Sequence, residues 1–215
     1  MPKDRKPSTL KPLKTMRIFC EGAKTEPAYI KAYLATFSRN GRRSVIEVEK
    51  TDKNTAVQLV EEAARVKTSG NSLPDDEVWV VYDRESTAKY SETMHAKAMK
   101  AADKVGVNVA ITNVCFEYWI LLHLTNTSAP YGSYSDLMKS SNLKTEFRKL
   151  TGTDYDKAAK TVFSVTKSKL PVARARAIKL NTAGVAAAPA GANKPFQINP
   201  YVGVVELLDA IDEFT

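Results

Sequence analysis

Val78-Trp79-Val80-Val81-Tyr82-Asp83-Arg84-Glu85 is the stretch on which the fold turns. Its first five residues are β-branched or aromatic and are bounded by polar residues, the pattern of a short strand buried on both faces. The run ends in two carboxylates, Asp83 and Glu85, two positions apart. In extended backbone such side chains share a face, and paired acids at the end of a buried strand suit a divalent cation. In an open parallel sheet the C-terminal strand ends are also where ligands bind. The same residues equally suit a plain strand exit into a polar loop, so the flanking segments have to decide.

Upstream, Met16 to Cys20 reads as a first strand, followed at once by Glu21-Gly22. Thr25-Glu26-Pro27 opens a helix reaching about Phe37, with Thr able to cap and Pro suited to the first turn. Val45 to Val48 reads as a second strand, and Asn54 can cap a helix over 55–68. Downstream, a helix over 90–104 precedes a fourth strand over 107–112. This alternation across 16–125 predicts an α/β fold with a mostly parallel four-stranded sheet and helices on both faces. Right-handed crossovers place the strand C-termini on one edge. If the first and third strands are neighbours, Glu21 meets Asp83 and Glu85 in one crevice.

Phe116 to Leu124 is the most apolar helix, and Glu117 is a lone acid near its start. Such a group must be paired, neutralised or metal-bound; alternatively it complements the helix dipole. His123 reads as a satisfied helix residue. Beyond residue 126 the alternation stops and helices are expected over 136–150, 155–168 and 171–180. The domain reading is therefore a mobile basic arm (1–15), an α/β core (16–125), a basic helical extension (126–181), a linker (182–196) and a C-terminal helix packed on the core (197–215).

The net charge of +8 is uneven. Residues 1–17 hold six basic residues against one acid, and residues 139–179 hold eleven against three. Localised positive charge suits a phosphate-rich partner, although solvated helix faces also carry lysines. Lys167, Lys169, Arg174 and Arg176 are candidate nucleic-acid contacts in the second region; Lys24 and Arg84 lie in sequence beside the acids. Cys20 and Cys115 lack CxxC spacing and read as free core thiols of a reducing, cytoplasmic compartment. Two histidines are too few for a His-based zinc site, and no apolar run is long enough to span a membrane.

Asp83 and Glu85 offer the oxygen ligands that Mg²⁺ or Mn²⁺ takes. Glu21 can be a third ligand or a general base, and Glu117 can complete a second metal position. Two ions about 4 Å apart would stabilise the attacking and leaving oxygens of a phosphodiester displacement. Lys24 and Arg84 would place positive charge beside the scissile phosphate.

Four blocks carry a resemblance: Phe19-Cys20-Glu21-Gly22-Ala23-Lys24-Thr25-Glu26-Pro27-Ala28-Tyr29, then Val80 to Glu85, then Asn113 to Leu124, then Asn199-Pro200-Tyr201 with the last helix. In this order they resemble the RloB-like family over about 16–214, the third block most specifically. The resemblance implies a Toprim-like, Rossmann-type core using Mg²⁺, with a glutamate after the first strand and an Asp-x-Asp pair after a later one. Glu21 and Asp83 match; Glu85 stands where many relatives have Asp. It also implies a prokaryotic anti-phage or abortive-infection protein, often encoded beside an AAA-type ATPase. The expected function is a Mg²⁺-dependent nuclease acting on DNA or RNA, tRNA included. A non-catalytic component binding nucleic acid or an ATPase is the alternative, with a primase or nucleotidyl transferase behind it. Self-association is left open.

Overall fold

The strand around Trp79 runs through the middle of the sheet. In the computed structural model, which describes residues 13–37 and 44–214, β1 (Lys14–Cys20) and β4 (Asn108–Asn113) flank β3 (Glu77–Asp83), all parallel. Outside β1 lies β2 (Ser44–Val48), also parallel. The expected count of four is corrected by β5 (Tyr201–Val202), which pairs antiparallel with Thr112 and Asn113 and gives the order β2-β1-β3-β4-β5. Two residues are too few to show a period, and this pair falls where the last helix was expected to begin. That helix instead spans Val204–Glu213. Of the basic arm expected over 1–15, residues 1–12 lie outside the described residues while Lys14 and Thr15 are part of β1 rather than the arm; the basic turn over 39–43 also lies outside the described residues.

The strand period of two divides the interior into two clusters. Met16, Ile18, Trp79 and Val81 face one side; Phe19, Val78, Val80 and Tyr82 face the other. On the second side pack α2 (Ala56–Lys67) and α3 (Glu92–Val105). Ser91 caps α3 and Thr55, rather than Asn54, caps α2. On the first side pack α1 (Thr25–Phe37) and α4 (Glu117–Leu124). All of α4 except Leu124 is buried, which explains its lack of amphipathic pattern.

His123 is satisfied, as its sequence context suggests. Its Nδ1 lies 2.9 Å from the Trp119 carbonyl oxygen, which can only accept, so Nδ1 carries the proton. Nε2 therefore accepts from the Tyr29 hydroxyl at 3.0 Å. Burial lowers the imidazole pKa to about 4.

The basic half departs from expectation in detail. One helix over 136–150 is two, α5 (Tyr134–Ser140) and α6 (Leu143–Thr151), broken at Ser141-Asn142. The helix expected over 155–168 shrinks to α7 (Val162–Thr166). Then α8 (Leu170–Ala187) runs well into the expected linker. Leu137, Leu143, Phe163, Ala173 and Ala177 belong to the same apolar cluster as α4. The last helix, α9 (Val204–Glu213), adds Val204, Leu207, Leu208 and Ile211 to it. Cys20 and Cys115 are free and buried, as their surroundings suggest.

Candidate functional site

From β1 the chain moves to β2 on one side and then to β3 on the other. At such a reversal the connections leave toward opposite faces and open a crevice at the strand C-termini. Glu21 enters that crevice directly from β1. Its N–H donates to the Val81 carbonyl at 2.8 Å, extending the ladder one step past the strand. Its Oε2 accepts from the backbone N–H of Asp83 at 3.3 Å.

Asp83 closes β3 and is buried. Its Oδ1 accepts from the Phe116 N–H at 2.8 Å, at the N-terminus of α4, where the helix dipole favours an anion. The next turn of chain holds Glu117, whose side chain is fully buried. Glu117 Oε1 accepts from the Tyr155 hydroxyl at 3.1 Å and stands 3.5 Å from Lys157 Nζ. Its Oε2 is buried with no hydrogen-bond partner among the described residues.

Sequence reasoning missed three residues here. Glu26, in the first turn of α1, is buried in the same cluster; the only signal was an acid five residues after Glu21. Tyr155 and Lys157 come from the stretch 155–161 that was expected to be helix. It is instead an irregular strap. The Thr25 hydroxyl pins it by donating to the Lys157 carbonyl at 2.6 Å, and Lys157 Nζ lies 4.8 Å from the centre of the Tyr134 ring. No local pattern announces that arrangement.

Glu85 does not sit in extended backbone as the i, i+2 reading required. The strand stops at Asp83, and Glu85 adopts φ 59°, a left-handed conformation that costs a non-glycine residue roughly 1 kcal/mol. Its carboxylate pairs with Lys89 at 2.7 Å on the solvent side, yet its charge still reaches Glu21 and Glu26.

The acids perturb one another. Burial raises the Asp83 carboxyl well above its usual range, and the charges of Glu26 and Glu117 add to it. Burial also lifts Glu21 and Glu26 to about 7 each. Burial opposes the charge on Lys157, but Glu117, Asp83 and Glu26 together hold its ammonium above the ordinary lysine value.

The candidate cations are dispersed. Arg84 is buried, its guanidinium donating to the carbonyls of Phe196, Tyr90 and Glu85. Arg174 pairs with Asp209 and Asp212, and Arg176 donates to the Leu122 carbonyl at 2.7 Å. Lys24, Lys167 and Lys169 are exposed.

A family model described as RloB-like protein matches residues 16–211, nearly the whole chain. The chain belongs to the RloB-like family. No curated protein and no solved structure matches this RloB-like chain significantly. Among its described residues, no helix is long and apolar enough to cross a membrane. Among the same residues, no three His, Cys, Asp or Glu side chains are arranged to hold a metal ion as they stand.

Proposed function

We propose that this RloB-like protein is a metal-dependent nuclease whose centre is the crevice between β1 and β3, on a Toprim-like core. The observation that carries the reading is the contact of the Glu21 carboxylate with the backbone N–H of Asp83, beside the buried Glu26 and Glu117 and one lysine. Stability gives no reason to bury Glu26, Asp83 and Glu117 together with Glu21 half-buried beside them, because each burial disfavours ionisation and each neighbour adds repulsion.

The donor set fits a hard divalent cation. Every donor is a carboxylate oxygen, and the partnerless Glu117 Oε2 is a buried acceptor with an open valence. Mg²⁺ or Mn²⁺ is commonly held by one or two carboxylates with substrate oxygens completing the shell, so a ready three-residue cage is not required. Asp83 and Glu117 would hold it, with Glu26 and Glu85 adding negative potential and Glu21 left free to act as a base. Such an ion would neutralise phosphate charge and lower the pKa of a bound water.

The chain's own groups supply the rest. A carboxyl near 7 suits a general base. Glu21 would take the proton of an attacking water as its oxygen bonds to phosphorus and the phosphodiester P–O bond breaks, the departing alkoxide taking a proton from solvent. Lys157 would place its ammonium beside the charge developing on the phosphate. The test is incubation of pure protein with labelled DNA, RNA and tRNA in Mg²⁺ or Mn²⁺, alongside Asp83→Ala. Cleavage is expected to be lost in the variant; cleavage that survives would remove this site from the chemistry.

Family resemblance supports a role in anti-phage defence, in a prokaryotic cytoplasm and beside an AAA-type ATPase. A second reading, a non-catalytic binding component, is favoured by Lys157 already neutralising Glu117. It predicts no turnover with either metal.

A further inference from the structure

Two cavities flank the strap over 155–160. One, of about 710 Å³, begins at Gly22 and Ala23, the residues directly after Glu21, and is lined by Lys31, Lys50 and Lys160 over a floor of Pro27, Ala28 and Ala32. The other, of about 660 Å³, is lined by Lys144, Arg148, Lys149 and Tyr155. Tyr155 thus faces the second cavity while its hydroxyl bonds Glu117, and Lys160, at the far end of the strap, faces the first. Six residues of extended chain span at most about 18 Å. The acid crevice therefore has a basic hollow at each end of one short strap.

We propose that these two hollows form the path of a single nucleic-acid strand, with the acid crevice between them receiving the phosphate to be cut. This rests on the nuclease reading of the crevice and adds where the substrate lies and what strandedness it has. Charge complementarity points to a polyanion. Each hollow is lined by three basic residues against one acid, Glu49 in the first and Asp154 in the second, and among the described residues Lys31, Lys50, Lys144 and Lys160 have no ion-pair partner. The Arg148 and Lys149 pairs lie on the surface, where such pairs are weak and readily exchanged for phosphate. The shape points to a single strand. A concave hollow with an apolar floor admits a splayed nucleotide, while a duplex presents its phosphates on a convex rod that cannot enter it. The path also avoids Arg174 and Arg176, whose guanidinium groups are engaged by protein acceptors.

The test uses the full chain carrying Asp83→Ala, so that binding is read without cleavage. A fluorescent 12-nucleotide single strand is titrated by anisotropy over a range of salt, in three further backgrounds: K31A/K50A/K160A, K144A/R148A/K149A, and K97A/K100A, on the exposed side of α3, as a control off the path. Each triple variant is expected to weaken binding on the order of tenfold and to flatten the slope of log K against log salt by about 2, near 0.7 per lost phosphate contact on a single strand. The control is expected to bind as its parent does. Circular dichroism of each variant excludes misfolding as the cause. Equal weakening in the control, tighter binding of a duplex of the same sequence, or full displacement by polyglutamate would overturn the path. Intact binding in both triples, with the unsubstituted protein still cutting, would overturn the path and leave the nuclease reading standing. Loss of binding in both triples, with the unsubstituted protein inert in Mg²⁺ and Mn²⁺, would keep the path and end the nuclease reading.

Discussion

The backbone N–H of Asp83 donates to Glu21 Oε2 at 3.3 Å, joining residues 62 apart across neighbouring parallel strands. The pairing of Cys20 with Val81 makes this contact a consequence of sheet register. By that register Glu21 stands level with Tyr82, one step short of Asp83, so its carboxylate meets the Asp83 backbone rather than the Asp83 side chain.

Asp83→Asn is expected to keep the fold and lose the chemistry. The amide oxygen can still accept from Phe116, while the charge repelled by Glu26 and Glu117 is gone. At pH 8 without metal, the melting temperature should equal or exceed that of the unsubstituted chain, with cleavage abolished. A large drop in melting temperature would show that the carboxylate serves the fold.

The metal-free protein should lose stability as pH rises from about 5 to 8. Burial lifts Glu21 and Glu26 from 4.5 to about 7 in the folded state. The native state therefore holds more protons than the unfolded one across that window. The stability they contribute is fully present below about 4.5 and is lost as pH passes through about 7. Chemical denaturation at several pH values checks the slope. The slope should shrink in Glu21→Gln/Glu26→Gln, and millimolar Mg²⁺ should restore stability most at the alkaline end.

Lys157→Met should destabilise the protein by roughly 2 kcal/mol, because it leaves Glu117 buried without a cation. Partial exposure of the lysine sets this below the cost of breaking a fully buried pair. Adding Glu117→Gln should recover most of the loss in urea midpoint. If the double variant is as unstable as the single one, the strap is held by something other than this pair.

At residue 85 the usual order of glycine and alanine should reverse. With φ at 59°, Glu85→Gly is expected to be about 1 kcal/mol more stable than Glu85→Ala. Thermal melts of the two variants decide it, and alanine ranking above glycine would contradict the left-handed backbone.

Gly203→Ala should be costly for a different reason. A Cβ there would stand 2.6 Å from the Ile111 carbonyl oxygen and 2.8 Å from its nitrogen, neither of which can rotate away. The penalty expected for such overpacking is ~3 kcal/mol, read as a lower melting temperature and weakened protection of β4 amides in hydrogen exchange.

Local pattern was enough to locate β3, β1 and α4, because a strand buried on both faces and a helix buried all round leave long apolar runs in one dimension. It was also enough to mark Glu21, Asp83 and Glu117, since each acid interrupts or closes such a run. Pattern could not supply β5, whose two residues pair only because α8 and the turn after it return the chain to β4. Nor could it supply Tyr155 and Lys157, which reach the crevice through a non-helical strap pinned by Thr25.

The sequence by itself determined the alternating α/β core, the sheet edge on which its acids gather, and the family to which the chain belongs. The tertiary structure decided which charges face one another: it buried Glu26 beside Asp83, set Lys157 against Glu117, and turned Arg84 and Arg174 toward protein acceptors. The physical reason is that strand and helix signals are local and periodic, whereas electrostatic partnership depends on through-space distance, which only packing sets.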